Sequence, residues 1–316
     1  MMKPIASIII PTYNAGEYLR PAVETALSQS ESRIEIIVVD DGSSDGSVER
    51  LAELNDGRLR IMRQDNAGKS VALNRALQET TGSYYCILDA DDLMHPDRVA
   101  RQVAALEANP DVAAVFSGHE LIMGNRRIAP RLRAKSREEC LNDVRNFRMP
   151  AHDPTGMYRV SMVRDIEYEP SLRIVEGYDY ILRVGERWPM MVLGECLYSY
   201  RVHPNSITRQ NVLKRHAAVE LVRRRAAERR GVAVEALEAP NPIRNRHRDN
   251  NLPAHFLESV VDLRRIGHNL SALKTAAHCA MLHPFDHDYY KPLAAALLPQ
   301  RALRRLRRRE REDTPT

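Results

Sequence analysis

The sequence predicts an α/β fold, with a mostly parallel sheet flanked by helices and an α-helical region at its C-terminal end. In the first part of the 316 residues, short apolar runs alternate with amphipathic stretches, a pattern typical of parallel sheets with right-handed crossovers. Later in the chain, helical spacing dominates and the charge changes sign. Residues 1–210 carry 26 basic and 30 acidic side chains, whereas residues 211–316 carry 21 and 12. We therefore expect two domains, residues 1–208 and residues 209–316.

The predicted elements follow one another in a regular order. Short, almost wholly apolar runs predict strands at Ile5–Ile10, Ile34–Val39, Leu59–Met62, Tyr84–Leu88, Val112–Phe116, Met190–Leu193 and Tyr198–Val202. Helical spacing and capping residues predict helices at Tyr18–Leu27, Ser44–Leu54, 69–79, 96–107, Glu176–Arg187, Leu213–Arg230, Phe256–Ile266, Leu270–Leu282 and Leu293–Arg309. Sheets of this kind bind ligands beyond the carboxyl ends of their strands. The polar clusters that follow the strands are therefore the candidate site.

Composition excludes several classes of protein. With 43% hydrophobic residues the chain is too apolar to be disordered, and no run approaches the ~18 apolar residues of a membrane span. The first residues lack the features of a secretory signal. The four cysteines show no Cys-x-x-Cys spacing, so neither a disulfide scaffold nor a structural zinc site is expected. We expect a cytoplasmic protein, and aromatic residues at only 5% make nucleic acid an unexpected partner.

Polar residues follow the first two predicted strands. The first strand is followed by Pro11, Thr12, Tyr13 and Asn14. Asp40 and Asp41 end the second strand and precede Gly42, which permits a sharp turn. A carboxylate pair at such a place can accept hydrogen bonds from a nucleobase or a ribose. The alternative is a turn whose solvated acids only cap the next helix.

The fourth predicted strand ends in the acidic sequence Asp89-Ala90-Asp91-Asp92. Carboxylates two residues apart at a strand end can converge on one hard cation. Mg²⁺ and Mn²⁺ take oxygen ligands and usually share them with substrate phosphates. The sequence therefore predicts a divalent metal here, and the alternative is an acidic loop that caps the helix after Pro96.

A third cluster opens the helix predicted at 69–79. Asn66, Gly68 and Lys69 stand at its N-terminal end, where free backbone N–H groups and a lysine could bind phosphate. The alternative for Lys69 is an ordinary solvated helix residue. The spacing is not that of a Walker A loop, and no Gly-x-Gly-x-x-Gly follows a strand. A dinucleotide-dependent oxidoreductase is therefore disfavoured.

The order and spacing of these clusters resemble glycosyltransferase family 2. The resemblance is specific over about residues 5–120, weaker to about residue 208, and does not extend to the C-terminal region. It implies a GT-A fold, a nucleotide-diphosphate sugar donor, a divalent metal and inversion at the anomeric carbon.

The resemblance also implies roles for individual residues. Thr12 and Tyr13 would lie along the nucleotide, and Asp41 would bind the base or its ribose. Asp89 would lie near the ribose and the metal, and Asp91 would be the direct metal ligand.

A further segment resembles the part of the family that supplies the catalytic base. The family has a Glu-Asp pair followed by an aromatic residue, an acid and a Leu-x-x-Arg-like helix, and residues 176–183 match this frame. Gly177, however, stands where the family usually has Asp. Glu176 and Asp179 are therefore the candidate bases. The alternative for Asp179 is an acid of the first helical turn, favoured there by the helix dipole.

The segment Tyr200–Ile207 resembles the Arg-x-His segment that closes over the diphosphate in this family. Arg201 could bind phosphate, and a neutral His203 imidazole could complete the metal shell. The alternative is that both residues serve packing or capping.

Seven arginines lie between Arg301 and Arg311, beside leucines at helical spacing. Such a basic amphipathic stretch suits an anionic membrane surface, and the alternative is a solvated basic tail. The sequence as a whole predicts an inverting transferase. It would use a UDP-sugar and a sugar, lipid-linked or glycan acceptor in polysaccharide, glycolipid or cell-envelope synthesis. Two alternatives remain open: a sugar nucleotidyltransferase and a non-catalytic nucleotide-sugar-binding protein.

Overall fold

The computed structural model describes residues 4–123, 126–128, 133–202, 212–232, 252–265, 269–282 and 287–299. Its strands are β1 (Ala6–Thr12), β2 (Ile34–Asp40), β3 (Leu59–Arg63), β4 (Tyr84–Ile87), β5 (Leu93–Met94), β6 (Ala114–Met123), β7 (Arg126–Ile128), β8 (Gly156–Arg159) and β9 (Met190–Val202). Its α-helices are α1 (Leu19–Leu27), α2 (Lys69–Glu79), α3 (Arg98–Glu107), α4 (Arg137–Arg145), α5 (Val160–Val163), α6 (Glu176–Gly185), α7 (Val212–Arg229), α8 (Leu252–Arg265), α9 (Asn269–Leu282) and α10 (Lys291–Leu297). The 3₁₀ helices are Glu49–Leu54, Asp153–Thr155 and His287–Tyr290. The chain divides into two compact units, one of residues 1–122 and 126–201, the other of residues 123–125 and 202–316.

The strands of the first unit lie in one sheet in the order β3-β2-β1-β4-β8-β6-β9-β5, with β7 paired to β6. The predicted α/β fold is confirmed. Its first four strands pair in parallel, and their register places Ile8 of β1 between Ile36 of β2 and Cys86 of β4. The pairs β4–β8, β8–β6 and β9–β5 are antiparallel, so the parallel pairs β1–β2, β1–β4 and β2–β3 lie in the half of the sheet built by the alternating sequence pattern.

The core lies on both faces of the parallel strands. Every residue of β1 is buried, because β2 and β4 flank it and helices cover it, which explains its almost wholly apolar sequence. Helix α1 contributes a buried stripe at helical spacing, Leu19, Ala22, Val23 and Ala26. Arg98 of α3 is also fully buried, and its guanidinium donates hydrogen bonds to the carbonyl oxygens of Ile87, Pro154 and Gly156. This arginine therefore fastens the segment before β8 to the end of β4.

Three predicted elements differ from the structure. The helix expected at Ser44–Leu54 is a 3₁₀ helix that begins at Glu49, because residues before it bind the loop after β1 instead. The Ser44 N–H donates to Asn14 Oδ1 at 2.8 Å, and Asp45 Oδ2 accepts from the Gly16 N–H at 2.7 Å. The two short strands expected at 190–193 and 198–202 are one continuous strand, β9. Strand β8 was not predicted, because its four residues carry no distinctive period.

The second unit contains α7 to α10. Small apolar residues of α8, α9 and α10 pack together, namely Val260, Leu263, Ala272, Ala276, Ala295 and Ala296. The Arg264 guanidinium donates to the carbonyl oxygens of Ala296 and Leu298 at 2.5 and 2.6 Å, so it satisfies orphan acceptors at the end of α10. The helix predicted at 293–309 is described only as far as Leu297. Within the described ranges, no helix has both the length and the apolar character needed to cross a membrane.

Candidate active site

The carboxyl ends of β2, β1 and β4 lie side by side, because these three strands are parallel neighbours. The loops that follow them are residues 13–16, 41–48 and 88–92. The structure therefore brings to one edge of the sheet the three polar clusters that the sequence singled out. Tyr13 is 55% exposed there, which leaves its ring accessible at this edge. Thr12 is buried, and its hydroxyl is without a hydrogen-bond partner among the described residues.

The two aspartates after β2 organise the loops around them. Asp40 Oδ1 accepts a hydrogen bond from the Ser43 N–H at 2.8 Å, which closes the turn at Gly42. Gly42 has a φ of +83°, and a Cβ there would come within 3.1 Å of the Asn66 nitrogen. The glycine is therefore required both by the backbone conformation and by the close approach of the second loop.

Asp41 holds the loop that leads into α2. One carboxylate oxygen accepts from the Gln64 side chain at 2.7 Å and from the Ala67 N–H at 2.8 Å, and the other accepts from the Gly68 N–H at 2.8 Å. Asp41 is 4% exposed. The sequence predicted a phosphate at the start of α2, and these contacts place a carboxylate of the protein on the N–H groups of Ala67 and Gly68.

Lys69, the first residue of α2, points its ammonium at two carboxylates from distant parts of the chain. Its Nζ lies 2.7 Å from Asp89 Oδ1 and 3.1 Å from Glu176 Oε1. Burial opposes the charged form of Lys69, but the two carboxylates outweigh it and raise the pKa of the ammonium well above its ordinary value. Burial also raises the pKa of the Asp89 carboxyl, Lys69 offsets part of that rise, and Asp91 adds to it.

The other two acids after β4 have different environments. Asp92 is 1% exposed, accepts from the Tyr198 hydroxyl at 2.7 Å and accepts from the Arg201 N–H at 2.7 Å. Burial raises the pKa of Asp92 well above its ordinary value, and the charges of Asp91 and Asp89 add to the rise. Asp91 is half-buried, and Arg201 Nε donates to its carbonyl oxygen at 2.8 Å. The end of β9 thus holds the acidic loop in place.

The two predicted bases, Glu176 and Asp179, both lie in the first turn of α6 but have different partners. Glu176 forms the ion pair with Lys69 described above. Asp179 is buried, its Oδ2 lies 2.7 Å from Arg183 Nη2, and that nitrogen also donates to the Glu167 carbonyl oxygen. Asp179 therefore orients Arg183, which in turn joins α6 to the segment before it, and this contact is expected of a structural acid.

A carboxylate that the sequence did not single out lies beside Glu176. Asp153 is 6% exposed and accepts hydrogen bonds from the hydroxyls of Tyr158 and Tyr168. Burial raises its pKa to about 6; the hydrogen bond from Tyr158 and the charge of Lys69 lower it, and the charges of Glu176 and Asp89 add to the rise. We name Lys69, Asp89, Asp153 and Glu176 the Lys69 cluster. The one sequence feature that indicated this region was the glycine at 177, and Asp153 lies directly beside it.

A second residue missed by the sequence is Arg173. It is exposed, and a side chain on Gly68 would overlap its guanidinium. Gly68 has a φ of +97°, so glycine suits that position on both counts. Arg173 therefore adds a positive charge at the start of α2, beside the loop held by Asp41.

Two predicted parts of the site lie outside the described residues. They are His203 and the arginine-rich segment 301–311. In the part of the chain that is described, no three histidine, cysteine, aspartate or glutamate side chains group as a metal site by themselves.

The sequence matches the family model described as glycosyl transferase family 2 over residues 7–166, about half of the chain. The chain belongs to glycosyltransferase family 2. This assignment decides against a sugar nucleotidyltransferase. It also agrees with the polar clusters after β1, β2 and β4, all of which fall inside the matched range.

The relatives of this family 2 chain match it over part of its length. A glycosyltransferase of Rickettsia bellii is 36% identical over 135 residues, which are 42% of this chain and 20% of the relative. YibD of Escherichia coli is 42% identical over 110 residues, 34% of this chain and 32% of that protein. The chain thus spans about a fifth to a third of the length of these relatives. A glycosyltransferase of Methanocaldococcus jannaschii is 27% identical over 224 residues, 68% of this chain and 75% of the relative.

Solved glycosyltransferase structures share the fold over most of the chain. S. aureus TarS 1-349 superimposes with a TM-score of 0.57 at 16% identity, covering 98% of this chain and 92% of that one. The mannosyltransferase PcManGT from Pyrobaculum calidifontis, in complex with GDP-Man and Mn²⁺, gives a TM-score of 0.55 at 20% identity, covering 93% and 86%. The predicted GT-A fold is confirmed.

Proposed function

We propose that this family 2 enzyme transfers a sugar from a nucleotide-diphosphate donor, a UDP-sugar, to a hydroxyl acceptor with inversion at the anomeric carbon. The observation that carries the proposal is the edge of the sheet where Tyr13, Asp41 and Asp91 follow three parallel strands. TarS has been solved in complex with UDP and with UDP-GlcNAc, and PcManGT with GDP-Man. These complexes support a nucleotide-sugar donor for the shared fold.

In this proposal the nucleotide lies along the loops after β1 and β2. The exposed Tyr13 ring offers a stacking surface for the base, and the Thr12 hydroxyl offers an unused hydrogen-bonding group. Asp41 shapes the pocket through the loop that contains Asn66 and Gly68, in addition to the predicted contact with base or ribose. Pro11, Asn14, Asp40 and Ala90 are the further residues predicted to bind the nucleotide-sugar.

The residues at the end of β4 fit a divalent cation shared with the donor, Mn²⁺ or Mg²⁺. Asp91 is half-buried at the sheet edge, and its backbone is fixed by Arg201. One or two carboxylates together with substrate phosphates are the usual ligands of these ions, so Asp91 would hold the ion, with His203 as the further predicted ligand. The bound ion would supply neutralisation of the negative charge that develops on the diphosphate.

This chain's own residues would do the rest of the chemistry. Arg201 and Lys69 are positive groups at the edge where the diphosphate is proposed to leave. A carboxylate near the first turn of α6 would accept the proton of the attacking hydroxyl. Of the two predicted bases, Glu176 shares the Lys69 cluster, whereas the Arg183 contact of Asp179 supports a structural role.

The proposed activity is tested by donor hydrolysis with Mn²⁺ and a panel of UDP-glucose, UDP-GlcNAc and GDP-mannose. We expect release of UDP from at least one UDP-sugar and a requirement for the divalent ion. Tight donor binding without turnover would instead favour a non-catalytic nucleotide-sugar-binding protein. Release of GDP but not UDP would contradict the proposed donor.

We also propose an acceptor that is a sugar, a lipid-linked sugar or a growing glycan, in cell-envelope polysaccharide or glycolipid synthesis. The support is the arginine-rich segment between Arg301 and Arg311, which suits an anionic membrane surface at ~1 kcal/mol per basic residue. The test is sedimentation with phosphatidylglycerol vesicles and with neutral vesicles. A chain ending at Pro299 should lose the binding to anionic vesicles, and equal sedimentation of both proteins would contradict peripheral attachment.

A further inference from the structure

Position 177 in α6 is a glycine, and the space beside it is already filled. A Cβ built on Gly177 would lie 2.5 Å from Asp153 Cβ and 2.6 Å from Asp153 Oδ2. Both distances are shorter than any real contact of a Cβ, so no side chain at 177 can coexist with Asp153 in its present place. The carboxylate of Asp153 therefore occupies the position that a side chain at 177 would need.

The position of Asp153 is fixed by rigid parts of the fold. It begins the 3₁₀ helix Asp153–Thr155, and the buried Arg98 guanidinium donates to two carbonyl oxygens that follow it, those of Pro154 and Gly156, at 2.7 and 2.9 Å. The hydroxyls of Tyr158 and Tyr168 donate to its carboxylate. A carboxylate held in this way is preorganised rather than mobile.

Asp153 also belongs to the same charge cluster as the proposed donor site. The charges that act on it come from three further elements of the first unit, namely Lys69 on α2, Asp89 after β4 and Glu176 on α6. The hydroxyls of Tyr158 and Tyr168 donate to it, and Tyr85 and Tyr180 lie close enough for its charge to raise their pKa values. Protonation of Glu176 would weaken its ion pair with Lys69, 3.1 Å away, whereas the direct hydrogen-bond partners of Asp153 are the neutral hydroxyls of Tyr158 and Tyr168.

A buried carboxylate whose direct partners are neutral hydroxyls is costly in a structural role, since an amide or a hydroxyl would fill the same space without charge. Its environment leaves it with a pKa of about 6. At neutral pH such a group is largely ionised and still basic enough to accept a proton, which is the range that suits a general base. The burial, position and pKa of Asp153 are therefore all those expected of a general base.

Resting on the glycosyl transfer proposed above, we propose that Asp153 is the general base of the reaction, supplied from the 3₁₀ helix before β8 in place of a side chain at 177. Asp153 Oδ2 takes the proton of the acceptor hydroxyl as the hydroxyl oxygen forms its bond to the anomeric carbon. The bond from that carbon to the diphosphate oxygen breaks, and the diphosphate leaves with the electron pair. The proton passes from Asp153 to solvent after the product leaves.

The test is a double-mutant cycle that moves the carboxylate between the two positions. The variants are Asp153→Asn, Asp153→Gly, Gly177→Asp and the double variant Asp153→Gly/Gly177→Asp. Glycine is chosen at 153 because alanine would keep the Cβ that lies 2.5 Å from a Cβ on 177. Each variant is assayed for kcat and KM in donor hydrolysis with Mn²⁺, where water replaces the acceptor, using the UDP-sugar that the wild-type chain turns over fastest. Folding is checked by circular dichroism.

We expect Asp153→Asn and Asp153→Gly to lower kcat by about 10²-fold or more, the usual contribution of a general base, with little change in the KM for the donor. The double variant should recover most of the lost kcat, and Gly177→Asp alone should not exceed wild type. The wild-type kcat should fall below pH 6 as Asp153 is protonated, and this acidic limb should disappear in Asp153→Asn.

Other outcomes are equally decisive. A kcat within about tenfold of wild type in Asp153→Asn, or an acidic limb unchanged in that variant, would overturn the proposal. A well-folded double variant that stays as inactive as Asp153→Gly would also overturn it, because a purely structural aspartate is not rescued from another position. If the double variant does not fold, the pH profile of Asp153→Asn decides alone. Absence of turnover in the wild-type chain would instead refute the proposed function.

Discussion

The two halves of the candidate site use their acidic residues differently. After β2, the carboxylate oxygens of Asp40 and Asp41 accept hydrogen bonds from backbone N–H groups of the loops around them. In the Lys69 cluster, by contrast, Asp89 and Glu176 pair with the Lys69 ammonium, Asp153 lies within range of their charges, and burial raises the pKa of both Asp89 and Asp153. The first half is therefore a hydrogen-bonded frame that holds the loops, and the second is a charged centre in which we propose that the proton transfer occurs. Changes in the frame should affect donor affinity, and changes in the charged centre should affect turnover.

The largest expected effect comes from Asp91→Ala, at the boundary of the two halves. Removing the proposed cation ligand should lower turnover by on the order of 10³-fold, since such an ion contributes several kcal/mol to the transition state. Calorimetric titration of UDP should show that Mn²⁺ strengthens binding to the wild-type chain but not to the variant. Binding that is indifferent to both Mn²⁺ and the substitution would remove Asp91 from the site.

Lys69→Met should affect both turnover and folding, because it leaves Asp89 and Glu176 without their shared counter-charge. Breaking a buried ion pair costs 3–5 kcal/mol, and since the Lys69 side chain is 32% exposed we expect about 2 kcal/mol in the free energy of unfolding. Urea denaturation measures this loss, and Lys69→Arg is the matched control that keeps the charge. Equal stability of the two variants would mean that the cluster is held by packing rather than by charge.

Asp153 should also leave a signature in the pH dependence of stability. Its folded pKa of about 6 lies above the ordinary value of 3.8, so between pH 4 and 6 the native state holds a proton that the unfolded chain releases. The contribution of Asp153 to stability therefore falls as pH rises through this range, by roughly 2–3 kcal/mol at 1.36 kcal/mol per pKa unit. The difference in unfolding free energy between wild type and Asp153→Asn should follow that fall. A difference that stays constant would contradict the raised pKa.

The smallest effect is expected on the frame side, from Asp41→Asn. The amide can no longer accept with both ends, so at least one N–H of Ala67 or Gly68 loses its partner, at about 1–3 kcal/mol of stability. We expect the KM for the donor to rise while kcat changes little. Glu49→Gln is the control, because it removes an exposed carboxylate that pairs with Arg63 at 2.7 Å. A fall in kcat with unchanged KM would assign Asp41 to the charged centre instead.

Much of the frame could be predicted from the sequence. Apolar runs predicted β1 to β4, and the predicted limits of α2, 69–79, match the structure. Because those strands are parallel, the residues after each of them had to share one edge of the sheet. The antiparallel half of the sheet was harder to predict from the sequence. Strand β8 is four residues long, and β9 was interrupted in the prediction at Gly194 and Glu195, which are exposed in the continuous strand.

The sequence by itself determined the fold class, the edge of the sheet where the candidate site lies, and the acids that end β2 and β4. Those features depend on periodicity and on the shared direction of neighbouring strands, which are local properties of the chain. Only the tertiary structure decided which carboxylates meet Lys69, that Arg183 joins Asp179 to the Glu167 carbonyl oxygen, and that Asp153 fills the space beside Gly177. Those contacts join residues far apart in sequence through the packing of α6 and of the segment before β8 against the parallel strands. No local sequence pattern predicts them, because these contacts stabilise the protein only when the elements that carry them are packed together.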